Sequence, residues 1–71
     1  MCIEVFKTNI DHPSAVSMAI ESLQQLWPDC KINIDLHDCD NILRIESFDK
    51  VDTMLVSHHL LEMGYFAEVL D

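Results

Sequence analysis

Apolar residues repeat along this chain with period two, then at helical spacing, then with period two again, and that order runs twice within 71 residues. One segment cannot satisfy both periods, so the order divides the chain into two strand-helix-strand halves. Cys2 to Lys7 alternates, with Ile3 and Val5 on one side and Cys2, Glu4 and Phe6 on the other, as in a half-buried strand. Asp11 offers a side-chain oxygen as a helix N-cap and Pro13 suits a first turn, so a helix is predicted to open at the Asp-His-Pro step. Its stripe is Val16, Ala19, Ile20, Leu23, Leu26 and Trp27. Pro28 ends it, because the residue before a proline is pushed out of helical geometry.

From Lys31 to His37 alternation returns through Ile32, Ile34 and Leu36, and Asp38-Cys39-Asp40-Asn41 is a run of turn formers. Ile42 to Phe48 then reads as the second arm of a hairpin, with Leu43 and Ile45 inward. Val51, Met54, Leu55, His58 and Leu61 have helical spacing, and Gly64 is placed to adopt a left-handed conformation just beyond that helix. Phe66 to Leu70 supplies the last strand. Both helical stripes can be buried against one face of an antiparallel sheet, with right-handed crossovers. The expected fold class is therefore α+β: a ferredoxin-like βαββαβ sandwich with a four-stranded antiparallel sheet and two helices on one face, forming one domain over residues 1–71. A core of this size leaves about 3–5 kcal/mol of net stability unless a metal, disulfide or partner adds to it.

Thirteen acidic residues against four Lys and Arg give a net charge of −9, which repels phosphate backbones and anionic membrane surfaces. Nucleic acid and membrane are thus not expected as partners. The thiols Cys2, Cys30 and Cys39 are odd in number and irregularly spaced, which fits reduced cysteines in a cytoplasmic protein better than a disulfide framework or zinc motif. Glu4 interrupts the N-terminus before any apolar run of signal-peptide length, and no segment approaches the ~20 apolar residues of a membrane span.

The segment Val5-Phe6-Lys7-Thr8-Asn9-Ile10-Asp11-His12-Pro13-Ser14-Ala15-Val16 and the ending Gly64-Tyr65-Phe66-Ala67-Glu68-Val69 follow each other in a particular order and spacing. Together they resemble the heavy-metal-associated, copper-chaperone-like domain family across essentially the whole chain. The resemblance implies the same sandwich fold and a metal loop between the first strand and the first helix. That family's ligands are a Cys-x-x-Cys pair, in which two thiolates pinch one soft ion such as Cu(I). The matching positions here are His12 and Ala15, so the resemblance is to a degenerate member without the two-thiolate site. Ile10 and Tyr65 match the apolar and aromatic positions that flank the family's metal.

His12 is nevertheless a candidate ligand, since imidazole binds copper and zinc. Weak Cu or Zn binding by His12, with a further donor from a partner or from Cys39, is the alternative to having no cofactor. Asp35, His37 and Cys39 would share a strand face if the second strand ran that far. Three donors on a flat sheet still make a poor tetrahedral cage. Asp38-Cys39-Asp40 begins like a calcium loop, but Leu43 stands where such a loop needs glycine. His58 falls on the apolar stripe of the second helix and is expected to pack inside.

No catalytic set is visible, and an enzyme is not expected. Acylphosphatases share this topology but need an arginine near the first helix, whereas the sole arginine here is Arg44. RNA-recognition domains share it too, and the net charge opposes them.

With Ile3, Val5, Leu43, Ile45, Ala67 and Val69 assigned inward, Phe6, Ile42, Phe48, Phe66 and Leu70 point to the open face of the sheet. An apolar set there predicts an interaction surface, serving a homodimer or another protein, in which Arg44 meets Glu4 or Glu68. The sequence thus reads as a small binding module that works through protein contacts.

Overall fold

Two neighbours compete for the first strand, and both are accommodated because it lies inside the sheet. The structure, a computed structural model, describes residues 1–70; Asp71, the last residue of the expected domain, lies outside them. The elements are β1 (Cys2–Thr8), α1 (Pro13–Leu26), β2 (Lys31–Asp35), β3 (Ile42–Ser47), α2 (Thr53–Glu62) and β4 (Ala67–Leu70). They form one four-stranded sheet in the order β2-β3-β1-β4, antiparallel throughout. This is the α+β, ferredoxin-like arrangement that the periodicity predicts.

Directly opposed residues of an antiparallel pair share a face, so the register identifies the inner surface. Phe6 lies opposite Leu43, Ile34 opposite Leu43, and Ile32 opposite Ile45. Ala19 and Leu23 of α1 and Val56 and Leu60 of α2 close over these residues without exposure, and Ile10 and Val51 complete the core from the loops. Each large aliphatic or aromatic side chain buried here stabilises the fold by about 1.5–3 kcal/mol relative to leaving it in water.

The faces of β1 are the reverse of the expectation. Phe6 is 0% exposed in the core, whereas Ile3 is 52% exposed and Val5 is half-buried on the open side. Both alternating sets of β1 contain apolar residues, so the strand alone does not select its own face. Pairing selects it, because Leu43 and Ile45 face the helices and the residues opposite them, Phe6 and Glu4, must do the same.

The stripe of α2 is likewise rotated. Val56 and Leu60 are buried, while Met54, Leu55 and Leu61 are exposed. This helix carries apolar residues on most of its circumference, and several phases satisfy the spacing equally well. His58, expected inside, lies on the exposed side with Nε2 3.5 Å from Glu62; His59 is half-buried instead, with Nε2 2.6 Å from the Ser22 hydroxyl of α1.

The ends of the helices are closed by side chains and by glycine. His12, rather than Asp11, is the N-cap of α1, and Asp52 caps α2 by accepting from the Met54 N–H at 3.0 Å. Gly64 has φ +95°, as expected beyond a helix end; its N–H reaches the Leu61 carbonyl and that of Tyr65 the Leu60 carbonyl. Those paired bonds form a Schellman closure, which turns the chain directly into β4.

Candidate functional site

Because β3 and β4 both run against β1, three loops gather at the end of the sheet where β1 finishes: residues 9–12, 36–41 and 63–66. Two polar side chains tie them together. Thr8, 4% exposed, donates its hydroxyl to the Asn41 carbonyl at 2.7 Å and accepts from the Ile10 N–H at 3.2 Å. Its backbone N–H donates to the Asp40 carbonyl at 3.1 Å. Asn9 Oδ1 accepts from the Phe66 N–H at 2.9 Å, which attaches the start of β4 to the same loop. Local periodicity carries no signal for either residue.

His12 is exposed, and its Nδ1 accepts from the Ser14 N–H at 3.2 Å and lies 2.8 Å from the Ser14 hydroxyl. A backbone N–H can only donate, so in this geometry Nδ1 is the unprotonated nitrogen. Coordination by Nε2 of a neutral ring moves the proton to Nδ1 and removes the cap. Ala15 is half-buried against the core and has no donor atom. The residues at these two positions therefore do not fit a thiolate-bound soft ion. Ile10 is wholly buried and Tyr65 packs on the core, so both flanking positions serve the fold.

In the hairpin loop, β2 ends at Asp35, and Asp35, His37 and Cys39 do not share a strand face. Asp35 Oδ1 instead accepts from the His37 N–H at 2.9 Å. Asp38, Cys39 and Asp40 present ligand atoms within 4.8 Å of one another. Their carboxylates already serve the turn: Asp38 Oδ1 accepts from the Asp40 N–H at 2.9 Å, and Asp40 stands 3.7 Å from Lys7 Nζ. Asn41 completes the turn with φ +48°, a conformation asparagine tolerates.

The five residues expected on one open face are dispersed. Phe6 is in the core, and Ile42 is on the open side of β3 yet only 8% exposed. Phe48 lies beyond the end of β3 and is 84% exposed, beside Met1 and Lys31. Phe66 precedes β4 and borders α2; Leu70 remains on the open side, opposite Val5. Arg44 also faces the open side, between Val5 and Asn33, while Glu4 opposite Ile45 faces the helices. The pairing of Arg44 with Glu4 is thereby excluded within one sheet.

A different apolar surface takes shape on the helical side. Met54 and Leu61 of α2, 79% and 62% exposed, face Phe66 and Val69 across a groove whose remaining walls include Ser57 and His58. Sequence reasoning assigned Met54, Leu61 and Val69 to the interior because each occupies a correctly spaced apolar position. Among the described residues, no helix is long and apolar enough to cross a membrane. No family model, curated protein or solved structure matches this chain.

Proposed function

We propose that this domain is a binding module of the heavy-metal-associated, copper-chaperone-like type that has lost the two-thiolate metal site and acts through protein contacts in the cytoplasm. The observation that carries the reading is the exposed apolar wall of the α2–β4 groove, formed by Met54, Leu61, Phe66 and Val69. Contiguous apolar surface of this kind marks interaction sites more often than chance. The position of this groove moves the proposed contact from the open sheet face to the helical side. Metal carriage by His12 with Cys39 or a partner's donor is the weaker reading, since it gives up the α1 cap. The free thiols Cys2, Cys30 and Cys39 are in keeping with a reducing compartment.

A photo-crosslinking amino acid placed at Leu61, with a matched one at the exposed open-face position Asn33, tests the reading in the source cells. Discrete protein adducts from Leu61 and not from Asn33 are expected. Adducts from Asn33 alone would return the contact to the sheet face. Their absence at both positions would overturn a protein-binding role.

A further inference from the structure

The groove between α2 and β4 is open on one side along the backbone of an edge strand, and the direction of each β4 amide follows from three contacts. The Thr8 N–H is used on the β3 side, by Asp40, so Thr8 and Ala67 are opposed without exchanging hydrogen bonds. The Phe66 N–H is directed toward β1 territory, at Asn9. The Ala67 carbonyl accepts from the Ser57 hydroxyl at 2.9 Å, from α2. Backbone groups alternate along a strand, so Glu68 and Leu70 turn theirs toward β1, and Ala67 and Val69 turn theirs to the free edge. Ser57 covers one of the outward carbonyls. The Ala67 N–H, the Val69 N–H and the Val69 carbonyl are left pointing outward beside the groove.

Charge limits what can add there. Residues 51–70 contain Asp52, Glu62 and Glu68 and no lysine or arginine. Asp52 caps one end of α2, Glu62 at the other end lies 3.5 Å from His58 Nε2, and no carboxylate among the described residues lines the groove itself, so the field acting there is that of the net charge of −9. A second copy of this chain would bring the same carboxylates and a further −9 charge to the contact, which disfavours self-pairing. A cationic partner is attracted by the same field.

We infer that the α2–β4 groove takes an extended, lysine- or arginine-rich segment of another protein, which adds as a fifth strand to β4 and sets alternate apolar side chains between Met54 and Leu61. Strand addition of this kind takes affinity from main-chain hydrogen bonds and specificity from alternate side chains. This inference rests on the protein-binding reading above and names the class of partner.

The probe is an acetylated, amidated heptapeptide, Lys-Val-Lys-Val-Lys-Val-Lys, added to the isotope-labelled domain and followed by amide and methyl spectra. Shifts are expected at the Ala67 and Val69 amides and at the Met54 and Leu61 methyls, weakening as salt is raised. Val69→Pro removes an outward N–H while leaving the bonds to β1, and it should reduce affinity by roughly tenfold with the α1 spectrum unchanged. A peptide with Glu in place of Lys should not bind. Absence of binding by the Lys-Val peptide, equal binding of the Glu-Val peptide, or unaltered affinity in Val69→Pro would each overturn the inference. Adducts at Leu61 in cells combined with failure of the peptide would remove strand addition and leave the protein-binding reading in place.

Discussion

The hydroxyl of Thr8 donates to the carbonyl of Asn41 at 2.7 Å across 33 positions of chain, and it does so from a residue almost without solvent exposure. Thr8→Val keeps the shape but leaves the Asn41 carbonyl and the Ile10 N–H unpaired, at a cost of about 1–3 kcal/mol. Thr8→Ser retains both bonds and gives up one methyl, a loss of about 1 kcal/mol. Urea denaturation of the two variants should rank them in that order; equal midpoints would mean that the hydroxyl does not hold the hairpin.

Phe6 and Ile3 provide a direct reading of which face of β1 is covered. Phe6→Ala removes a ring from the closed core, and such changes cost about 3–5 kcal/mol, comparable to the whole stability of a domain this small. Ile3→Ala, at an exposed site, should stay within about 0.5 kcal/mol. Circular dichroism at room temperature should find the first largely unfolded and the second native. The opposite result would invert the sheet.

At Gly64 an added methyl meets nothing within 4 Å, so any penalty there is one of backbone conformation alone. With φ +95°, Gly64→Ala should destabilise by about 1–2 kcal/mol and Gly64→Val by more, since β-branching makes a positive φ worse. Thermal melts check the order. A neutral Ala variant would count against the Schellman closure as the source of the bend.

His12→Ala removes the cap of α1 and should cost about 0.5–2 kcal/mol, whereas His12→Asn should recover most of that. Competition titrations on the reduced domain should find Cu(I) binding weaker than in the double variant His12→Cys, Ala15→Cys, which restores two thiols three residues apart. Tight one-to-one binding that persists in His12→Ala would contradict the assignment of His12 as a structural residue.

The switch between strand and helix periods was sufficient to place all six elements and the left-handed Gly64, because these features depend on neighbours within four residues. The phase of each element was less legible. Both alternating sets of β1 are partly apolar, and only the partner Leu43 determines that Phe6 turns inward. On α2 the apolar residues nearly encircle the helix, so spacing could not distinguish Val56 and Leu60 from Met54 and Leu61. The groove was missed for that reason. Thr8 and Asn9 carry no local signal because their partners lie 33 and 57 positions away. His12 stands out in the sequence as an imidazole at a ligand position, but the structure uses its Nδ1 as the cap of α1.

The central place of β1 also bears on when the domain can form during its own synthesis. Of the four strands of this sheet, β1 is made first, and it is flanked on one side by β3 and on the other by β4, which is made after the other three. Loop-closure entropy must be met before such distant pairings return any energy, so the N-terminal half has no stable sheet to enter while it waits. Its Phe6 ring stays uncovered until Leu43 arrives, and the Asn9 amide lacks its partner until Phe66 is present. Within this domain β1 therefore gains both of its neighbours only after β4 has been joined.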